Sequence, residues 1–390
     1  MYAQLNDSLL DIKVIIFNNI GGLMSKNKIY GLNFLRIISM LGIIGLHILN
    51  NGGAFPKENL LSLYEFPISI IYILCATSVN TFAMLTGYLY VDKINVKYKN
   101  ILKLLFTVLF YSAIITILFL IFKRDVFYSI FDIIKSLIPP LADKYWYITC
   151  YVLLFVIIPF INKLINSLTI SQFKLLLILL ILFTSVLPTF LLTDFFRLDY
   201  GYSTAWLIVC YFIGAYIKRS NQKVSSRIIC LLYILCVIVI MGISIVGLLF
   251  MKSSSVYNVL VAYTSPFIVI LSVFLILLFS NVQFKNMFLI KLIDSLSGSA
   301  FDVYIIHSHL LIFEWILKGN FVFIKDLPFL VAIPAIIFSI IAIYGVCWGI
   351  SNLKALVFKF VRIDFVFDEL GYKVDCWLDK MGNGTRDQTV

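Results

Sequence analysis

The chain has 390 residues, 62% of them hydrophobic and 13% charged, with a mean hydropathy of +1.01. Soluble domains carry about half apolar and about a quarter charged residues. This composition therefore excludes a water-soluble enzyme, a disordered protein and a nucleic-acid binder that reads through a basic domain. The net charge of +11 falls in the few polar segments, where in a membrane protein it reports orientation and contact with anionic lipid. The expected fold class is an all-α polytopic membrane protein with no soluble domain.

A membrane-crossing helix needs about 20 mostly apolar residues. In chain order, such runs begin near Leu32, Ile68, Ile101, Trp146, Phe173, Ser203, Ile228, Val256, Ser299 and Pro328. About ten helices put both termini on one side. With the N-terminus inside, 21 Lys and Arg fall on the inner side and nine on the outer, with Arg36 inside the first span. That bias favours an N-in, C-in topology. Residues 1–27 form a cytoplasmic or interfacial segment, in which Asp7 and Asp11 stand where a signal peptide would be basic. Residues 9–24 read as an interfacial helix, or else translation begins at Met24; both stay open. Residues 124–138 are too interrupted to span, but Phe127, Ile130, Phe131, Ile134 and Leu137 keep helical spacing, as an outer interfacial helix would. The transmembrane domain is expected over 28–351, followed by a cytoplasmic tail over 352–390.

The seven Cys lie mostly in apolar runs, form no C-x-x-C pair and are odd in number. They read as small buried hydrophobes. With only three His in the chain, no metal site is expected.

Charge inside lipid is the stronger signal. Arg36 and His47 share one apolar stretch, FLRIISMLGIIGLHILNNGG at 34–53, eleven residues apart. At about 100° per residue, that interval closes three turns to within about 20°, so both side chains point along one face, about 16 Å apart in rise. An Arg at the centre of a span costs at least about 2.5 kcal/mol, which marks it as functional unless it snorkels to the headgroups.

This spacing of Arg, ten residues and His resembles the first-helix motif of the acyltransferase-3 family of membrane acyltransferases. VNTFAMLTGYLY at 79–90, KYWYITCYVLLFVIIPFIN at 144–162, WLIVCYFIGAYIKR at 206–219 and SAFDVYIIHSHLLI at 299–312 resemble its later helices in order, the last closing on Ile306 and His307. Two positions depart: Ala83 stands where an aromatic is common, and Asp302 where Gly is usual. The resemblance covers about residues 28–350. It implies a multi-pass protein of a bacterial cell membrane that moves an acyl group, usually acetyl from acetyl-CoA, to a hydroxyl of an envelope glycan or lipid-linked sugar.

The residues fit that chemistry. A sugar hydroxyl is a weak nucleophile and needs a positioned base, most often His, which is the role of His47. Arg36 offers a fork for a CoA phosphate, with Lys218 and Arg219 as further cations that attract the donor or merely set topology. On the ninth run, His307 and Glu314 are spaced two turns apart on one face, His307 towards substrate and Glu314 as a carboxylate able to orient His47. Trp146 and Tyr147 suit stacking against a sugar or an interfacial belt. Asn80 lies in a small-residue stripe with Ala76, Ala83 and Gly87, which reads as close helix packing or a substrate contact. The competing reading is a polysaccharide exporter or flippase, since intramembrane charge also marks transporters. The sequence shows no matched pair of broken helices in two halves, the pointer to an alternating-access site.

Overall fold

A computed structural model describes residues 29–373 except 94–98, 139–144, 223, 364–365, 368 and 372. The expected interfacial helix at 9–24 and the two possible start sites lie outside the described residues. Every regular element among those described is helical. The first half comprises α1 (Tyr30–Leu46, continued by a π-helical turn at His47–Asn51), α2 (Glu65–Tyr90), α3 (Lys99–Phe122), the short α4 (Ile130–Leu137), α5 (Trp146–Ser167) and α6 (Ile170–Phe190). The second comprises α7 (Thr204–Ser220), α8 (Ser226–Met251), the short α9 (Ser255–Leu260), α10 (Pro266–Ser280), α11 (Met287–Gly298), α12 (Ala300–His307), the one-turn α13 (Leu310–Ile312) and α14 (Phe329–Phe360).

Helices occur at all ten places where the sequence predicts spans, but not as ten equal rods. Seven are long and apolar enough to cross a membrane alone: α1 with its π turn, α2, α3, α5, α6, α8 and α14. α7 and α10 are shorter, at 17 and 15 residues. The eighth run does not continue from Val256, because α9 ends at Leu260 and the chain re-enters a helix only at Pro266. Proline lacks the N–H that an interior turn would need, and its ring suits the first helical position instead.

The ninth run departs most. Its helical region begins earlier than Ser299, at Met287, and breaks after His307; α12 and the segment from Leu310 are bent by 58°. His309 fixes the break. Its backbone is extended (ψ 136°), its Nδ1 accepts from the Leu311 N–H at 3.3 Å, and its Nε2–H donates to the Ser136 carbonyl of α4 at 3.0 Å. Interrupted helices are thus present, but both of these breaks fall in the C-terminal part of the chain rather than one in each half, so they form no matched pair across the two halves.

Of the outer segment 124–138, only Ile130–Leu137 is α-helical, started by a capping box between Ser129 and Asp132. The tail expected from 352 begins inside α14, which runs to Phe360. Lys354 in that stretch is held by Asp302 at 2.7 Å, which keeps the helix on the bundle.

α2 sits at the centre, with 83% of its apolar window buried against 22% for α6 and α14. Its small-residue stripe packs on α7. A Cβ on Gly87 would run into the Tyr211 carbonyl oxygen, and one on Gly214 into that of Met84, so each glycine admits the backbone of the other helix. Asn80, on the same stripe, is fully buried.

Candidate functional site

α1 carries a chamber at each end. At its C-terminal end, a cavity of about 270 Å³ is lined by His47, Trp146, Tyr147, Tyr304, Ser308 and Glu314, among others. At its N-terminal end, a larger one of about 1200 Å³ is lined by Arg36, Tyr90, Asp92, Lys93 and Lys218. The Arg and His that share one face by spacing therefore open into different compartments, at opposite ends of the same helix.

His47 sits where α1 changes from an α-helix to a π turn, a distortion that in other proteins gathers at functional sites. Its ring lies 5.1 Å from that of His307 and meets Phe313 edge-on at 5.4 Å. Its Nδ1 is buried with no hydrogen-bond partner among the described residues, as is the Tyr147 hydroxyl. Buried polar atoms are normally satisfied. Two orphans around one cavity leave polar capacity for whatever fills it.

His307 stands behind His47 rather than on the cavity wall. Its Nδ1–H donates to the Val303 carbonyl at 2.5 Å and its Nε2 accepts from the Ser308 hydroxyl at 3.3 Å. Both ring nitrogens are thus engaged, and the residue props the His47 ring. Trp146 and Tyr147 do line the chamber. Trp146 packs with Tyr202 at 4.6 Å and lies parallel to Tyr263 at 6.4 Å.

Four of the candidate side chains have other partners than the sequence suggests. Glu314 lines the His47 chamber, but the break at His309 removes the continuous face it was to share with His307, and its carboxylate holds Lys318 at 2.6 Å. Asn80 does not reach the chamber: its amide N–H donates to the Tyr263 carbonyl at 2.7 Å and its oxygen accepts from Trp206 Nε1 at 2.9 Å. It locks α2 to α7 and to the loop before α10. Arg219 is turned away from Arg36 and donates to the Ile165 carbonyl at 2.6 Å, capping the last turn of α5. His307, expected against substrate, serves as the prop described above.

Lys218 does lie in the Arg36 chamber, with its ammonium 5.1 Å from the Tyr88 ring. Lys93 joins it, 3.8 Å from the centre of Tyr90. Arg36 makes no ion pair among the described residues; Tyr90, Tyr151 and Tyr344 are its close polar neighbours. Three cations, Arg36, Lys93 and Lys218, against one carboxylate, Asp92, leave this chamber with a surplus of positive charge.

Sequence reasoning missed Lys93, Tyr202, Tyr263, Tyr304 and Ser308. Tyr304 carried a signal, since it precedes His307 by three residues and so lies on the same helical face. The others come from loops or breaks and carried none.

Comparison with known proteins gives one match. The model of a family described as an acyltransferase domain, acyltransferase-3, matches residues 29–351. No curated protein and no solved structure matches the chain.

Proposed function

The chain belongs to the acyltransferase-3 family and is a membrane acyltransferase, and within that activity we propose that it moves acetyl from acetyl-CoA to a hydroxyl of an envelope glycan or lipid-linked sugar of a bacterial cell. The observation that carries this reading is the division of labour along α1: unpaired Arg36 with Lys93 and Lys218 at one end, His47 with an open polar cavity at the other.

The CoA diphosphate is held at the Arg36 end, where a guanidinium gives forked, charge-assisted hydrogen bonds. This end faces the cytoplasm, and the acceptor enters the His47 chamber from the opposite face along the wall of Trp146 and Tyr147. His47 takes the proton as the sugar oxygen attacks the thioester carbonyl. A C–O bond forms, the C–S bond breaks, and the proton passes to the departing thiolate, giving an O-acyl sugar and free CoA thiol. A base needs a free nitrogen lone pair, so His47 works as neutral imidazole, and its Nδ1 has no hydrogen-bond partner among the described residues.

The test is the base. His47→Ala should lower ester formation by about 10²–10⁴-fold, at unchanged membrane abundance, measured as acetate released from surface glycan by mild alkali. Ester content near wild type in that variant removes His47 from the base role. If the glycan instead loses its surface location while keeping its esters, the chain is an exporter.

A further inference from the structure

Beside the Arg36 chamber lies a third compartment that no role above uses. It is a cavity of about 420 Å³ lined by residues of α3, α5, α11, α12 and α14 and by Tyr90 at the end of α2, with Tyr151, Phe301, Asp302 and Lys354 among them. Tyr90 also lines the Arg36 chamber, so one side chain bounds both. On the far side the boundary is thin. Along α5, Tyr147 faces the His47 chamber, while Tyr151, one turn on, faces the third cavity. Along α12, Tyr304 faces the His47 chamber and Phe301 the third cavity. The four rings pack on each other: Tyr147 on Tyr151 at 6.1 Å, Tyr147 on Tyr304 at 5.9 Å and Tyr151 on Phe301 at 5.0 Å. Where these helices separate the two cavities, the partition is one helical turn thick, about 5.4 Å.

The charges in this cavity differ from those at Arg36. Lys354 is bound by the Asp302 carboxylate at 2.7 Å, and Ser351 and Tyr111 donate to the same oxygen. The pair is self-neutralised, so beyond Lys103 the walls offer polar but uncharged partners, Asn100, Ser299 and Asn352, between apolar surfaces such as Leu104 and Phe155. Such a lining suits an uncharged chain of amide groups and methylenes, and does not suit a second phosphate cluster.

From this series of compartments we infer that the Asp302 cavity is the middle chamber of the donor path: it holds the pantetheine arm of the acyl-CoA, and Tyr151 with Phe301 forms the gate through which the acyl end reaches His47. The inference rests on the donor reading above. The nucleotide stays at Arg36, the arm passes Tyr90, and only the thioester crosses the aromatic partition. The ring stack excludes water when the path is empty and must part for each transfer.

The experiment separates this path from the donor assignment itself. Purified protein carrying Ser299→Cys is labelled with N-ethylmaleimide, counted over the parent with its native cysteines, in the presence of CoA or of 3′,5′-adenosine diphosphate, which lacks the arm. CoA should protect the introduced thiol and the arm-less nucleotide should not. Equal labelling with both, while radiolabelled CoA is shown to bind, overturns the path; failure of CoA to bind at all overturns the donor assignment. A second variant reads the gate. Phe301→Trp should leave binding of 3′,5′-adenosine diphosphate, which stays at Arg36, within about two-fold but lower transfer by at least about ten-fold, because misplacement of a reacting group by about 1 Å costs that much or more. Full transfer in that variant, at normal thermal stability, overturns the gate.

Discussion

Arg36 costs the fold free energy unless something fills its chamber. An uncompensated cation at this depth is unfavourable by a few kcal/mol, and no carboxylate pairs with it among the described residues. Arg36→Met should therefore raise the melting temperature of the ligand-free protein, yet abolish the further rise that CoA gives the parent by binding the folded state. Arg36→Lys keeps charge but loses the planar fork, and should raise KM for acetyl-CoA with little change in kcat. Outside the spans, Lys57 rests 4.1 Å over the Tyr72 ring, beside Phe55, and donates to Asn50 at 3.2 Å; burial pushes its pKa down from 10.5 to about 8. The unfolded chain then binds more protons between those values, so Lys57 makes stability rise as pH climbs from about 8 towards 10.5 and lowers it again as pH falls through 8. Melting curves across that window should show a smaller rise for Lys57→Met, whose stem still covers Tyr72. At this scale the sequence was legible in placing Arg36 and His47 on one helix, eleven residues apart, which the structure shows as α1 with its π turn. It was not legible for Asn80, whose partners Trp206 and Tyr263 lie 126 and 183 residues away, nor for Arg219, which caps a helix 54 residues upstream.

Among the elements, the α2–α7 contact shows what small residues do in a membrane, where lipid is as apolar as any side chain and close backbone packing replaces the hydrophobic effect. Gly87→Ala places a Cβ against the Tyr211 carbonyl. It should cost about 1–3 kcal/mol as an overpacked contact, read as a lower melting temperature with KM for the donor unchanged. The stripe of Ala76, Asn80, Ala83 and Gly87 was readable as a packing face; the partner helix was not. The breaks were harder. Hydropathy averaged over a span carries no information on backbone dihedrals, so Ser308 and His309, which lack Gly or Pro, looked continuous with the apolar residues on either side. The shared face of His307 and Glu314 was lost on that account, although Glu314 still lines the His47 chamber.

For the molecule as a whole, the positions of the helical runs followed from apolar length, while the meeting of their ends did not. The cavities arise from loop residues such as Tyr202 and Tyr263 and from the terminal turns of α1, α5 and α12, which only the assembled bundle brings together. If the chambers work in series, chemistry runs with donor and acceptor on opposite faces. Sealed vesicles of known orientation, given labelled acetyl-CoA on the Arg36 face and a membrane-impermeant glycan on the His47 face, should yield labelled ester. Label appearing only when both substrates share one face would sink this arrangement without touching membership of the family.

The π turn that carries His47 is also tied to a distant stretch of chain. The carbonyls of Asn51 and Gly52 accept from the N–H groups of Gly319 and Phe321, each at 3.0 Å, and Gly319 holds a φ of +71° that a side chain would strain. The rim beyond Lys318 and the last turn of α1 are thereby coupled like a latch and its bolt. Any displacement of this rim therefore pulls on the turn that aims the imidazole. Loosening the latch with Gly319→Ala should then lower kcat and leave donor KM alone, although residue 319 lines neither chamber.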